Sequence, residues 1–229
     1  MKKKNLIEHL IDTVTTLTII LTFLFALVGI CFNIVYQKTT IRGYSMYPTI
    51  NATAPNATDD GDVAFVNQYA SVKVNDIAVA NVTWWSKGPI IKRVVATPGD
   101  VLKINDEGTF YSLVVNGKTL YKKQKTDISV HGEIGGTNAY YATYLLFLEN
   151  PEYARNVAEI EGEKCIVMND NEYFFMGDNW GETTDCMQNG VIHGNNIDGR
   201  VDFIVPYGNS QSWAMVFHMI KLVFVPNWA

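Results

Sequence analysis

Histidine, cysteine and charge are all scarce in this chain of 229 residues. It holds four histidines and three cysteines, with no HExxH, no CxxC and no zinc-like spacing, so no metal site is expected. No glycine-rich loop of P-loop spacing occurs, and no cofactor is expected. Charged residues make up 18% of the chain, below the roughly 25% of a soluble domain. The net charge of −5 argues against a nucleic-acid binder. There is no internal repeat and no low-complexity tract, and the composition argues against a collagen-like, disordered or multi-span protein. His9, His131, His193 and His218 stand apart from any nucleophile signal, so a Ser-His-Asp triad has little support.

What the chain does have is one long apolar run. No charged side chain occurs from Thr13 to Gln37, enough to cross a hydrocarbon core of about 30 Å as a helix. Bulky Phe32, Ile34, Val35 and Tyr36 follow Cys31 without a small-residue cleavage site, so residues 14–36 are expected to be an uncleaved membrane anchor. Lys2, Lys3 and Lys4 precede it, which places residues 1–13 in the cytoplasm and the remainder outside the cell membrane.

Beyond the run, short β-branched stretches recur: 62–66, 76–82, 89–95, 101–104, 112–115, 164–168, 172–175 and 200–205. Asp60-Gly61, Pro98-Gly99-Asp100, Asn116-Gly117 and Met176 to Asn179 punctuate them, and Asn116-Gly117 has the form of a two-residue hairpin turn. The expected fold class is mainly β: the anchor helix, then an antiparallel β-sheet domain over 37–121 and 164–229. Residues 122–163 form a cap or insertion with Tyr140, Tyr141 and Tyr144. The apolar tail from Trp213 to Ala229 is read as a final strand or as an interfacial segment, with a second span as the alternative. Cys165 and Cys186 are read either as two free thiols or as a disulfide pair. Sequons at Asn51, Asn56 and Asn81 carry no weight in a chain rich in Asn and Thr.

Two segments could carry chemistry. In Arg42-Gly-Tyr-Ser-Met-Tyr-Pro-Thr49, Pro48 stiffens an exposed turn around Ser45. In Ile90-Ile-Lys-Arg-Val-Val95, Lys92 sits among Ile and Val, where loss of water disfavours its ammonium form. A neutral lysine can serve as the base for a serine hydroxyl. Taken singly, the serine reads as a turn residue and the lysine as one on a solvated face.

Together these segments resemble type I signal peptidases. Ser45-Met-Tyr-Pro-Thr49 is similar to that family's S-M-x-P-T box. Gly61-Asp-Val63 with Asn75 to Val79 is similar to the next box, and Lys92 to Asp100 to its K-R-V-x-G-x-P-G-D box. Met176-Gly-Asp-Asn179 opens its last box, and the boxes come in the family's order. The resemblance implies a signal peptidase-like fold with a catalytic lobe and a cap. It implies a membrane serine endopeptidase that removes N-terminal signal peptides from secretory preproteins with small residues before the cut. Ser45 would be the nucleophile, Lys92 the general base, and Thr183 the hydroxyl that orients the lysine. The backbone around Gly43 and Ser45 would face the oxyanion. Arg93, Asp178 and Asp185 would support the site. Ala96, Trp180, Cys186 and Met187 depart from the family's pattern. Met187 stands where an arginine would pair with Asp185, so Arg93 is the expected substitute cation. The alternatives are a membrane-anchored β-domain that only binds partners, and a weakly active paralogue.

Overall fold

The computed structural model describes residues 5–54, 61–126 and 136–224. Lys2 to Lys4, the sequon at Asn56, His131 and the end of the tail lie outside the described residues. A single long helix, α1 (Leu6–Val35), opens the chain. The Asn5 N–H donates to Glu8 Oε2 at its start (2.9 Å), a reciprocal cap on an otherwise open helix end. The hydroxyls of Thr13, Thr16, Thr18 and Thr22 each donate to the carbonyl four residues earlier. The Asn33 amide does the same to Gly29. These polar groups are therefore satisfied within the helix itself. Of the helix, only Phe32 is buried.

Twelve strands follow among the described residues. They are β1 (Tyr36–Thr40), β2 (Val63–Asn67), β3 (Ile77–Ala80), β4 (Ile90–Ala96), β5 (Val101–Asp106), β6 (Phe110–Val115), β7 (Lys118–Gln124), β8 (Val157–Ile160), β9 (Glu163–Val167), β10 (Glu172–Met176), β11 (Ile192–His193) and β12 (Ile197–Val205). They form two sheets, ordered β1-β2-β12-β3-β4-β10-β11 and β7-β6-β5-β9-β8. Every pairing is antiparallel. The mainly β class is thus the observed one. The β6–β7 connection is the expected hairpin: Asn116 and Gly117 both hold positive φ (50° and 74°), which a tight turn matching strand twist requires.

The largest core lies where the two sheets meet. Ala78, Val94 and Phe174 of the first sheet pack with Leu102, Leu113 and Ile166 of the second. Helix α2 (Gly136–Glu149) covers this core with Tyr140, Tyr144 and Phe147. Fully burying a side chain of this kind contributes about 1.5–3 kcal/mol, so the core suffices to hold β4 and β10 rigidly beneath the site. A second core of Ile41, Met46, Ile50, Ala64, Val66 and Val79 pins the segment that follows β1.

Helix α1 runs directly into β1 without a linker. Phe32 and Tyr36 pack on Phe65 and Phe203, and those last two rings stack at 4.3 Å. The tail differs from the expected strand. Residues Gln211–Phe224 form a helix, here α4, the short Cys186–Asn189 turn being α3. Ala214 and Met215 pack on the aromatic cluster, and the His218 ring stacks on Phe203 at 4.1 Å. Apolar contacts at 214, 215 and 218 fit one face of a helix, whereas a strand would have presented alternate residues.

Candidate active site

Lys92 is placed by the alternation of β4. Ile90, Lys92 and Val94 are buried in turn, and Lys92 is 5% exposed. Its Nζ lies 2.7 Å from Ser45 Oγ and also donates to the Ile91 carbonyl (3.1 Å). Burial lowers its pKa from the ordinary value to about 8, opposed by the negative charge of Asp185 and more weakly by that of Asp178. Ser45 and Lys92, 47 residues apart in sequence, are thus brought together.

Ser45 rides on a compact turn. The Tyr47 N–H donates to the Tyr44 carbonyl (2.9 Å) and the Ile50 N–H to the Met46 carbonyl (3.0 Å). Met46 and Ile50 are buried and plug the turn into the second core. Gly43 holds a φ of 81°, a conformation that side chains disfavour, and so turns the backbone into the loop. Among the described residues, the Ser45 N–H has no acceptor, which leaves it free for an incoming oxygen.

The last motif grips this loop from the far side. The Asn179 N–H donates to the Ser45 carbonyl (3.0 Å) and its amide to the Tyr44 carbonyl (3.2 Å). A Cβ on Gly177 would stand 2.5 Å from the Ser45 carbonyl oxygen and 2.2 Å from Thr183 Oγ1, so only glycine fits. Asp178 accepts from Thr49 (2.6 Å) and takes a two-pronged pair from Arg93 (2.7 and 2.6 Å). Arg93 is therefore the partner of Asp178 and not of Asp185, contrary to the sequence-based expectation. Asp185 is fully buried and satisfied by neutral donors: the Gly177 N–H (2.8 Å), the Met187 N–H (2.9 Å), the Thr183 hydroxyl (2.9 Å) and the Tyr140 hydroxyl. Thr183 spends its proton on Asp185. No hydrogen bond joins it to Lys92 among the described residues, though it lies at the same wall.

Cys165 and Cys186 are buried free thiols rather than a pair. Burial pushes the Cys186 thiol up, and its Sγ accepts the Phe175 N–H (3.2 Å). The described histidines His9, His193 and His218 lie on α1, β11 and α4, and none hydrogen-bonds Ser45. Among the described residues, no cluster of His, Cys, Asp and Glu could hold a metal ion.

Sequence reasoning does not single out Asn51, which reads there as a sequon match; it is 1% exposed and staples the serine loop. Its amide donates to the carbonyls of Ile41 (3.2 Å) and Gly43 (2.8 Å), its N–H donates to Asp62 Oδ2 (2.7 Å), and its Oδ1 accepts the Asp62 N–H (2.7 Å). Gly61 lets the chain pass, since a Cβ there would stand 1.8 Å from the Ile41 carbonyl oxygen. The available signal was the proximity of Asn51 to Gly61-Asp62 in a motif-bearing stretch.

The sequence model of the family described as "Signal peptidase, peptidase S26" matches residues 12–206. Among curated proteins no sequence matches. Among solved structures, a crystal structure of a signal peptidase I from Enterococcus faecalis is similar at 17% identity and a TM-score of 0.35, covering 58% of this chain and 97% of that one.

Asn51→Ala tests the clamp. It strips partners from the buried Asp62 backbone and from two carbonyls, and unsatisfied buried groups of this kind cost about 1–3 kcal/mol each. Urea unfolding should show a loss of about 3 kcal/mol, and an unchanged midpoint would contradict the clamp.

Proposed function

The chain belongs to the signal peptidase family, peptidase S26, and from that premise we propose that it is a membrane-bound serine endopeptidase that cleaves N-terminal signal peptides from secretory preproteins with a Ser45–Lys92 dyad. The observation that carries this reading is the 2.7 Å approach of a buried lysine amine to a serine hydroxyl. A dyad needs neutral amine, and burial raises its fraction by bringing Lys92 down to about 8.

In the first half-reaction neutral Lys92 Nζ takes the Ser45 proton as Oγ attacks the scissile carbonyl carbon. The Ser45 N–H, on the backbone turned by Gly43, faces the oxyanion; losing one such donor typically costs about 10²–10³ in rate. Lys92 then passes its proton to the leaving amine, freeing the mature protein. In the second half-reaction a water attacks the ester, Lys92 takes the water's proton, Ser45 regains its hydroxyl, and the signal peptide leaves as a carboxylate. Thr183 would orient the lysine indirectly, its hydroxyl holding Asp185 at the wall beside Lys92. Arg93, Asp178 and Asp185 support the wall behind the dyad.

Helix α1, 30 residues with a mean hydropathy of 2.5 over its most apolar window, suits a membrane anchor. Residues 1–13 then lie in the cytoplasm, 14–36 cross the cell membrane, and 37–121 with 164–229 form the external catalytic domain capped by 122–163. An anchored enzyme meets an anchored substrate at high effective concentration, and Ser45 lies close to the point where the chain leaves the bilayer. An extended substrate segment would add backbone hydrogen bonds to a strand edge.

Incubation with a labelled preprotein tests the reading. The wild type should cleave, and Ser45→Ala and Lys92→Arg should not, because guanidinium stays protonated. The rate should rise with pH through about 8, as the amine loses its proton. Cleavage by Lys92→Arg at the wild-type rate would refute the dyad. A separate contrast isolates the hydroxyl of Thr183: Thr183→Ser should keep much of the rate and Thr183→Val should lose most of it, and equal rates for valine and threonine would remove Thr183 from the site.

A further inference from the structure

Helix α2 of the cap reaches the back of the site through the Tyr140 hydroxyl. The Tyr140 hydroxyl donates to both oxygens of Asp185, at 2.8 and 2.9 Å. Tyr140 is 3% exposed and Asp185 0%, so the contact is sealed from water. The other donors to Asp185 are Gly177, Thr183 and Met187, all from the one segment that holds the carboxylate. Tyr140 is the donor that comes from elsewhere in the chain. Its ring stacks on Trp180 at 5.0 Å, and Met187, 1% exposed, belongs to the same apolar core.

A buried carboxylate without a salt bridge depends on its donors, and on any charge nearby, to stay ionised. Burial pushes the Asp185 carboxyl up, and the donors and Lys92 pull it back down. The charge of Asp185 in turn is the largest influence favouring the ammonium of Lys92. A cation in place of the phenol would place a second positive charge near Lys92, whereas a neutral hydroxyl steadies Asp185 and leaves its field directed at the lysine. The Tyr140 proton stays in place, because burial and Asp185 raise its pKa well above the ordinary value. Among the described residues, the other ionisable groups at this wall are Cys186 and Tyr121, both raised by burial and so neutral, Arg93 and Asp178, which pair with each other, and Lys123, whose ammonium donates to the Asp178 carbonyl (2.7 Å).

We infer that Tyr140 is a positioning residue: its hydroxyl fixes the place and the charge distribution of Asp185, and through Asp185 it sets the base and ties the cap helix to the dyad. This rests on the Ser45–Lys92 reading above. Removing the phenol hydroxyl leaves the charge of Asp185 less neutralised by donors, so more of it acts on Lys92 and the amine holds its proton to higher pH.

The test uses the full chain in detergent, with Tyr140→Phe, Ser45→Ala and Lys92→Arg assayed together on a labelled preprotein. Tyr140→Phe should keep its circular dichroism and lose about tenfold in kcat with KM little changed, the size expected for a misplaced catalytic group. Its acidic limb should move up by about half a pH unit. Replacement of Tyr140 by 3-fluorotyrosine, a stronger donor of nearly the same shape, should move the limb down, and this decides the matter if Tyr140→Phe does not fold. A folded Tyr140→Phe with wild-type kcat and an unmoved limb overturns the inference even if its melting temperature falls. Shifts of the opposite sign, or an unmoved limb with fluorotyrosine, overturn it as well. If Ser45→Ala or Lys92→Arg cleaves at the wild-type rate, the dyad itself fails; if both are inert while Tyr140→Phe behaves as wild type, only the role of Tyr140 fails.

Discussion

Taking one lysine out of water is the constraint on which the rest of the site depends. An ammonium in an apolar sheet is costly, and the cheapest response is to release its proton. The position of Lys92 on β4, between buried Ile90 and Val94, imposes that response. The response has to be bounded, because a lysine stripped of all favourable charge would be too weak a base to take a serine proton. Asp185 supplies the bound by favouring the ammonium without touching it. The value of about 8 is the balance of these two effects.

A tuned base is useful only if the hydroxyl stays where the amine points. The serine loop has no regular secondary structure of its own and is held from three sides. Met46 and Ile50 anchor it in apolar packing, Asn51 and Asp62 lock its two ends, and Asn179 holds the Tyr44 and Ser45 carbonyls. Asp178 links Thr49 of the loop to Arg93, the neighbour of Lys92 on β4. One carboxylate thus ties the strand that carries the base to the loop that carries the nucleophile. Such a supporting shell maintains the sub-ångström geometry that proton transfer needs.

Features encoded locally were legible in the sequence. Asn116-Gly117 dictates its hairpin by positive φ, and β-branched runs such as 90–95 give strands. The Ile and Val neighbours of Lys92 pointed to loss of water, although the lysine taken singly reads as one on a solvated face. Features created by distant contacts were not legible. Arg93 was matched to Asp185 by motif logic, but the fold brings Asp178 to its guanidinium and meets Asp185 with neutral donors. Asn51 resembled a surface sequon until Asp62, 11 residues on, closed against it. Tyr140 belonged to an aromatic patch in a region of no evident pattern, and only packing of α2 against the sheets brings its hydroxyl to Asp185. The tail was read by hydropathy, which does not separate a short apolar strand from a helix lying on an aromatic cluster.

The most direct test is a titration of the amine itself. With 15N-lysine in the detergent-solubilised chain, the Lys92 Nζ resonance is assigned by its loss in Lys92→Arg and followed from pH 6 to pH 11. The account predicts a midpoint near 8, well below the roughly 10.4 of a free lysine. A midpoint near that free value would leave only a trace of neutral amine at the pH where the chain is expected to cleave, and would contradict its role as the base for Ser45.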